Sequence, residues 1–310
     1  MAHADRLPTV SHRILLDVSS LLYRAHFALA GTVYAPDGRP VGAVHGYLDM
    51  VTRLLRSRHP DETVHVYDHD WRPTARTEIY PAYKGARPPE PEEITAQFTL
   101  LREVLDLTGM PQAQTPGWEA EDAIGALVQA AADEDRIEMV SGDRDLLQLV
   151  RDDPPPVRLL FTVRGVSNLH EFDEAAVMEK YGVPASRYAD FAILRGDPSD
   201  GLPGVPGVGE KTARALIEIY GSLDAVVADA TAEGLPQPGP FKGSPKLRAR
   251  VREAIPYLRA MQTLVPLNAE APVTVWSGTR DDEELKELAD AWGLRGPAQR
   301  VTAALDSLNG

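Results

Sequence analysis

The chain has 310 residues, 43% of them hydrophobic, no cysteine, and a formal charge of −14 from 46 acidic and 32 basic side chains. That is enough apolar material for one large domain or two smaller ones, and the lack of cysteine excludes a disulfide framework and a zinc-thiolate site and fits a reducing cytoplasm. No stretch approaches the roughly 18 apolar residues that span a membrane, and the start lacks the apolar core of a secretory signal.

The acidity lowers the expectation of a nucleic-acid partner without removing it, because basic groups need only line the strand path. In chain order, residues 1–11 are an expected flexible tail. The apolar, branched run at 12–18 (HRILLDV) predicts a strand that places Asp17 near its end, and 63–68 (TVHVYD) predicts another ending at Asp68. Residues 71–93 (WRPTARTEIYPAYKGARPPEPEE) break the rhythm; a proline- and arginine-rich connection of that length is functional or disordered. Ile94, Phe98, Leu101 and Leu105 recur at helical spacing, as do Ile124, Leu127, Val128 and Ala131. Further strands are predicted at 136–143 (RIEMVSGD) and 157–163 (VRLLFTV). Strands alternating with amphipathic helices over 12–180 predict an α/β fold with a mostly parallel central sheet flanked by helices. Functional groups of such sheets gather beyond the carboxyl ends of the strands, where Asp17, Asp68 and Asp143 fall.

From about residue 181 to 310 a helical region is expected, with helices at 210–220 and 246–262, a proline-rich joint at 236–245, and a final amphipathic helix marked by Leu285, Leu288 and Trp292 before a short tail.

Acidic residues cluster in five places: Asp17; Asp68; Glu119, Glu121 and Asp122 in GWEAEDAIG; Asp143 and Asp145 in SGDRD; Asp197 and Asp200 in RGDPSDG. Carboxylates are the hard oxygen ligands that hold magnesium or manganese. Two such ions about 4 Å apart orient a water, lower its pKa and neutralise a leaving oxygen, the requirements of phosphodiester hydrolysis. Any one of the paired sites is explained as well by surface charge or a helix cap. Asp17 and Asp68 each follow an apolar strand, where a lone buried carboxylate is costly unless paired or metal-bound. Taken jointly, the set favours a metal site.

The segment LPGVPGVGEKTARALIEIYGS (202–222) sets Gly204, Gly207 and Gly209 immediately before a helix opened by Glu210 and Lys211. Backbone N–H groups at such a turn form a phosphate-sized anion site without base specificity. GVPGVGEKTA is a helix-hairpin-helix pattern of the kind found in DNA-binding proteins. Lys211 and Arg214 share its polar face, and Lys246, Arg248, Arg250 and Arg252 form a later basic run that reads as a solvated helix face.

These segments resemble the 5′-nuclease family, with greatest similarity to the 5′→3′ exonuclease domain of bacterial DNA polymerase I and a more distant one to flap endonucleases and bacteriophage 5′ nucleases. The resemblance runs through LLDVSSLLYRAHFAL (15–29), VYD (66–68), YPAYKGARP (80–88), GWEAEDAIGAL (117–127), SGDRDLLQL (141–149) and RGDPSDGLPGVPGVGEKTA (195–213). It implies a PIN-like nuclease core, a helical arch or gateway at about 71–95 that orders when DNA binds, and a helix-hairpin-helix at about 190–222, in a free-standing relative of the polymerase domain. It implies a two-metal hydrolase using Mg2+ or Mn2+, with K+ at the hairpin, acting on DNA 5′ ends, flaps, nicks and gaps and on RNA–DNA hybrids. It further implies a monomer in the cytoplasm at the nucleoid, serving replication and repair. By the same analogy Asp17, Asp68, Glu119 and Glu121 hold one metal, Asp143, Asp145, Asp197 and Asp200 the other, and Asp122 stands nearby or is shared as a further metal carboxylate. Tyr23, Arg24, Arg76, Tyr83, Lys84 and Arg87 line the path of the scissile phosphate, with Lys84 and Arg87 as electrostatic clamps. Gly204, Gly207, Gly209, Lys211, Thr212 and Arg214 meet the duplex.

Two positions depart from the polymerase-type pattern. Glu121 stands where aspartate is usual, giving the Glu-Ala-Glu of flap endonucleases, and Gly201 stands where asparagine follows the final aspartate. The competing readings are a non-catalytic junction binder, which predicts missing carboxylates where all nine positions are acidic; a haloacid-dehalogenase-type phosphatase, which leaves the hairpin unexplained; and a related ribonuclease, which the residues alone leave open because the 2′-hydroxyl is sensed by finer detail.

Overall fold

A computed structural model describes residues 12–70, 72–88, 90–163, 165–233 and 240–309. The expected tail at 1–11 and residues 236–239 of the proline-rich joint lie outside them. The chain runs β1 (His12–Asp17), α1 (Val18–Leu29), α2 (Gly42–Arg58), β2 (Glu62–Tyr67), α3 (Thr74–Ile79), α4 (Glu92–Thr108), β3 (Gln112–Gln114), α5 (Ala120–Gln129), β4 (Arg136–Ser141), β5 (Val157–Thr162) and β6 (Leu169–Phe172). It continues with α6 (Glu174–Tyr181), α7 (Tyr188–Arg195), α8 (Glu210–Tyr220), α9 (Leu223–Thr231), α10 (Pro240–Gly243), α11 (Pro245–Glu253), α12 (Ile255–Leu264), β7 (Thr274–Trp276), α13 (Asp282–Trp292) and α14 (Arg295–Asn309).

One seven-stranded sheet has the order β6-β5-β4-β1-β2-β3-β7. The five inner strands are parallel and the two edge strands antiparallel. Of the inner strands, β1, β2, β4 and β5 are largely apolar and buried because helices cover both faces, whereas β3 is short and carries two glutamines. In β1, Ile14 and Leu16 join the cluster made with α1, α2, α4, α13 and α14, while Leu15 between them joins the one made with α5 and the later helices. Chain order reverses across β1, with β2 on one side and β4 on the other, so a crevice opens at the carboxyl ends of those strands.

The strands anticipated at 12–18, 63–68, 136–143 and 157–163 are present as β1, β2, β4 and β5. The helix expected over 246–262 is two helices that meet at Ala254. Pro256, in the first turn of α12, has no N–H to bond the carbonyl of Arg252, while the Ala254 N–H still bonds the Arg250 carbonyl at 3.0 Å as the last bond of α11. The helix of Leu285 and Trp292 is not the last, because α14 follows and packs on α2. Nor does the chain remain helical after residue 181, since β7 pairs with β3 and returns it to the sheet. Among the described residues no helix is long and apolar enough to cross a membrane.

Candidate active site and hairpin

Asp17 ends β1 and caps α1, its Oδ1 accepting the Ser20 N–H at 2.9 Å while its Oδ2 accepts the Ser141 hydroxyl at 2.5 Å from the end of β4. Ser141 Oγ in turn accepts the Asp143 N–H at 2.9 Å, and Ser20 Oγ accepts the Gly142 N–H at 2.7 Å. These two serines lock the β1 and β4 ends together. Sequence reasoning passed over them, although both adjoin acids it had singled out, in DVSS and SGD. Gly142 leaves room for Arg24: a Cβ there would lie 2.9 Å from Arg24 Nη2, and Arg24 Nη1 donates to the Val163 carbonyl at 3.3 Å.

Asp68, one residue past β2, accepts the Ala120 N–H at 2.7 Å and so fixes the start of α5 against the sheet. Glu119 and Asp122 are buried at that helix start. Glu119 accepts from Arg76, Lys84 and, at 2.8 Å, the Tyr83 hydroxyl. Asp122 accepts from Arg76 Nη2 and the Asn268 N–H, each at 2.9 Å, and from the Glu119 N–H at 3.3 Å. These two carboxylates, expected beside metal, are engaged with Arg76 and its neighbours. By contrast, Oε2 of Glu121 is buried with no hydrogen-bond partner.

The second group is linked to the first through Asp143, whose Oδ1 accepts the Asp145 N–H at 2.8 Å. Asp200 accepts from Arg87 at 2.8 Å. Asp197 caps the short turn that holds Asp200 and lies 3.6 Å from Arg144 and 4.0 Å from Arg195.

Crowding of buried carboxyls shows in their proton affinity. Burial, then the charges of Glu121 and Asp68, push Asp17 up to about 8. Burial, then Asp200 and Glu121, push Asp145 up to about 7. Asp143 is raised well above the usual range by burial and by Asp145, and Asp68 by burial and by Glu121. Burial lifts Asp122 to about 6 against the pull of Arg76. At Glu121 burial is opposed by Lys84 and Arg76, which win and hold it below its ordinary value. Perturbed groups gathered in a cleft mark a functional site.

The long connection at 72–88 contains a short helix followed by turns. Helix α3 carries Arg76, and the following turns bury Tyr83 and Lys84, with Lys84 in the left-handed region at φ 50°. The Lys84 N–H donates to the Asp200 carbonyl at 2.9 Å. Asp17, Asp68, Glu121, Asp143, Lys84 and Arg87 line one open cleft of about 470 Å³, with Tyr23, Arg24 and the exposed Phe27 on its wall. Tyr23 donates its hydroxyl to Glu90 at 3.0 Å. Arg76, Tyr83, Glu119 and Asp122 do not line this cleft, nor do Asp145, Asp197 and Asp200.

Among the described residues no three carboxylates or imidazoles form a preformed metal cage. A closed cage is not what magnesium requires, since it keeps several waters and uses one or two carboxylates. An all-oxygen donor set, burial and then mutual repulsion that raise four aspartates, and an unpartnered buried carboxylate oxygen at Glu121 all fit hard divalent cations.

The hairpin is α7, a glycine-rich turn and α8. Gly204, at φ 68°, packs so closely that a Cβ would stand 2.4 Å from the Arg195 carbonyl, and its N–H donates to the Tyr257 hydroxyl at 3.1 Å. The Tyr257 ring meets Tyr80 edge-on at 6.3 Å. Gly201, the departure from the polymerase pattern, has φ 75° and would set a Cβ 2.8 Å from the Ala82 carbonyl. The turn is thus seated directly on the segment that carries Lys84. Gly209 caps α8 with open space around it, Lys211 is exposed, Thr212 is half-buried, and the exposed Arg214 lies across Gly182. The basic run is not simply a solvated face. Arg248 donates to the carbonyls of Asp229 and Ala232 and Arg252 to that of Ala230, where they cap the carboxyl end of α9.

The chain matches the family model of the N-terminal resolvase-like domain of 5′-3′ exonucleases over residues 12–182 and that of their C-terminal SAM fold over 183–288. It is 41% identical over 320 aligned positions to a 5′-3′ exonuclease of Mycobacterium tuberculosis, covering 96% of this chain and 98% of that one. It is 44% identical over 221 positions to a DNA polymerase I of Mycobacterium bovis, covering 71% of this chain and 24% of the polymerase. In fold it is similar to the T5 D15 protein co-crystallised with metal ions, with a TM-score of 0.66, 18% identity and coverage of 96% of this chain and all of that one.

Proposed function

The chain belongs to the 5′-3′ exonuclease family and is a nuclease, and from that premise we propose that the cleft at the β1–β4 crevice hydrolyses DNA phosphodiesters at 5′ ends and flaps. One observation carries this reading: four carboxylates from four separate segments, Asp17, Asp68, Glu121 and Asp143, share a single cleft with Lys84 and Arg87.

Asp17, Asp68, Glu121 and Asp143 would hold Mg2+ or Mn2+ nearest the cleft, with Asp145, Asp197 and Asp200 adjoining. When bound, the ions lower the pKa of an attacking water and offset charge on the leaving oxygen. The chain's own residues do the rest. Lys84 and Arg87 offer positive charge to the phosphoryl oxygens as charge develops there. Ser20 and Ser141 hold Asp17 and Asp143 in register. Glu119 and Asp122, through Arg76, position the Lys84 segment rather than contact the phosphate. Tyr23 and Arg24 flank the entering strand. The hairpin at 196–209, with Lys211, Thr212 and Arg214 after it, would carry the duplex through phosphate contacts without base specificity.

The same family reading extends to K+ at the hairpin, RNA–DNA hybrids among the substrates, a monomer, and a cytoplasmic location at the nucleoid. The test is incubation of a 5′-labelled flap duplex with Mg2+, Mn2+ or EDTA. Release of labelled 5′ fragments only with metal is expected. No metal-dependent release from any 5′-ended substrate would overturn the reading.

A further inference from the structure

Glu90 stands beside the cleft and is not one of the nine acids of the carboxylate set. It falls between Pro88 and Pro91, which both line the cleft, and the residue before a proline is held extended. Its Oε1 accepts the Tyr23 hydroxyl of α1 at 3.0 Å, and its Oε2 accepts the Thr95 hydroxyl of α4 at 2.8 Å. The carboxylate thus bridges two helices with its charge fixed in place. The Tyr23 ring is fixed in turn, edge-on to Phe98 at 6.1 Å. Burial, and then the charge of Glu90, keep its phenol protonated, so the hydroxyl is a donor.

On that donor the Glu90 carboxylate holds the place that a phosphate oxygen would take, since both anions accept from a hydroxyl. Tyr23 comes six residues after Asp17, about 9 Å of helix rise, and a helical aromatic side chain leans back toward the start of its helix. At about 3.4 Å per stacked nucleotide, the hydroxyl stands roughly one or two nucleotides from the acids. A strand whose scissile phosphate lies at those acids therefore sets its next phosphate, or its 5′ terminus, against Tyr23 and Glu90. What arrives there differs in charge. A 5′-hydroxyl brings none and a phosphodiester one, whereas a terminal phosphate monoester brings about two at pH 7. A fixed charge a few ångströms away penalises each added one by on the order of tenfold.

We infer that Glu90 is a specificity-determining residue of the cleft, disfavouring a 5′-terminal phosphate on the nucleotide to be released and favouring 5′-hydroxyl ends and flaps whose terminus lies farther out. This rests on the reading of the cleft as the place where 5′ ends are hydrolysed.

The test is single-turnover release of the first nucleotide from a nicked duplex in Mg2+ or Mn2+, with the cut strand labelled at its 3′ end and bearing either a 5′-phosphate or a 5′-hydroxyl. Wild type, E90Q and E90K are compared, with a long flap carrying the same two ends as control. The phosphate-to-hydroxyl rate ratio at the nick is expected to rise on the order of tenfold in E90Q and further in E90K. On the long flap the ratio should be the same in all three proteins. E90Q keeps an acceptor oxygen for Tyr23, so it should melt as wild type does. A ratio at the nick that is equal in all three overturns the inference, and two rates that fall together at a fixed ratio assign Glu90 to holding α1 against α4 instead. An equal shift of the ratio on the long flap overturns the placement of Glu90 beside the scissile bond. No cleavage of nick or flap by wild type overturns the reading of the cleft, and the inference with it.

Discussion

On the proposed reading, divalent cations at the cleft displace protons from its crowded carboxyls. Asp17 titrates near 8 and Asp145 near 7, against an ordinary value of 3.8. Burial is the first cause in both, with neighbouring carboxylates second. Because these folded-state values lie above the unfolded one, the metal-free fold loses stability as pH rises from about 4 to about 8. Metal ions bind the ionised forms, so their stabilising effect grows over the upper part of that window. Counting these two groups alone, two protons leave on metal binding at pH 6 and nearly none at pH 9. At about 1.4 kcal/mol per proton per pH unit, stabilisation by a fixed excess of Mg2+ or Mn2+ rises by about 2 kcal/mol between pH 6 and 7 and about 1 kcal/mol between pH 7 and 8. For a chain of this size that is roughly 2 °C of melting temperature per kcal/mol. Thermal melts with and without metal at pH 6, 7, 8 and 9 measure it directly, and calorimetry in buffers of different ionisation enthalpy counts the protons. A metal-induced shift that is flat from pH 6 to 9, or zero protons released at pH 6, would refute the account of the cluster as repelling carboxylates relieved by cations.

Three substitutions test the surroundings. Lys84→Ala should slow single-turnover cleavage by on the order of 100-fold or more while duplex affinity by anisotropy stays close to wild type; an unchanged rate would remove Lys84 from the chemistry. Gly201→Asn supplies the residue usual in polymerase-type relatives but forces a Cβ to 2.8 Å from the Ala82 carbonyl. It should cost about 1–3 kcal/mol and slow cleavage by shifting Lys84, and a wild-type melt and rate would show that the contact yields freely. Tyr257→Phe strips the acceptor from the Gly204 N–H while keeping the ring on Tyr80. Duplex binding should weaken with a loss of about 1 kcal/mol of stability, and unchanged affinity in titrations would detach Tyr257 from the hairpin's shape.

Much of the nuclease face was legible in the sequence because parallel strands buried on both sides advertise themselves as apolar runs. An aspartate at or just past such a run has one place to be, as Asp17, Asp68 and Asp143 show. Edge and short strands carry no such signal. Gln112–Gln114 is polar yet buried as β3, and β6 and β7 are four and three residues long. Side-chain partnerships across long separations were equally silent: no local pattern tells that Arg76 turns to Glu119 and Asp122, or that Arg248 and Arg252 cap a helix some 20 residues earlier. Nor does any pattern tell that Gly201 leaves space for the Ala82 carbonyl. Spacing could bring acids to one face of a helix, as with Glu119 and Asp122, but could not say which of them a neighbouring cation would claim.

The central claim is that the crowded carboxylates are the hydrolytic centre, and Asp143→Asn tests it with almost no change of shape. The decisive measurement is single-turnover cleavage of a 5′-labelled flap duplex in Mg2+ or Mn2+ by this variant, at protein concentrations that saturate the DNA. The account predicts that release of the 5′ fragment falls by on the order of 1,000-fold, in a protein that melts higher than wild type without metal because the cost of holding that buried carboxyl protonated is gone. Cleavage at the wild-type rate by Asp143→Asn would contradict it.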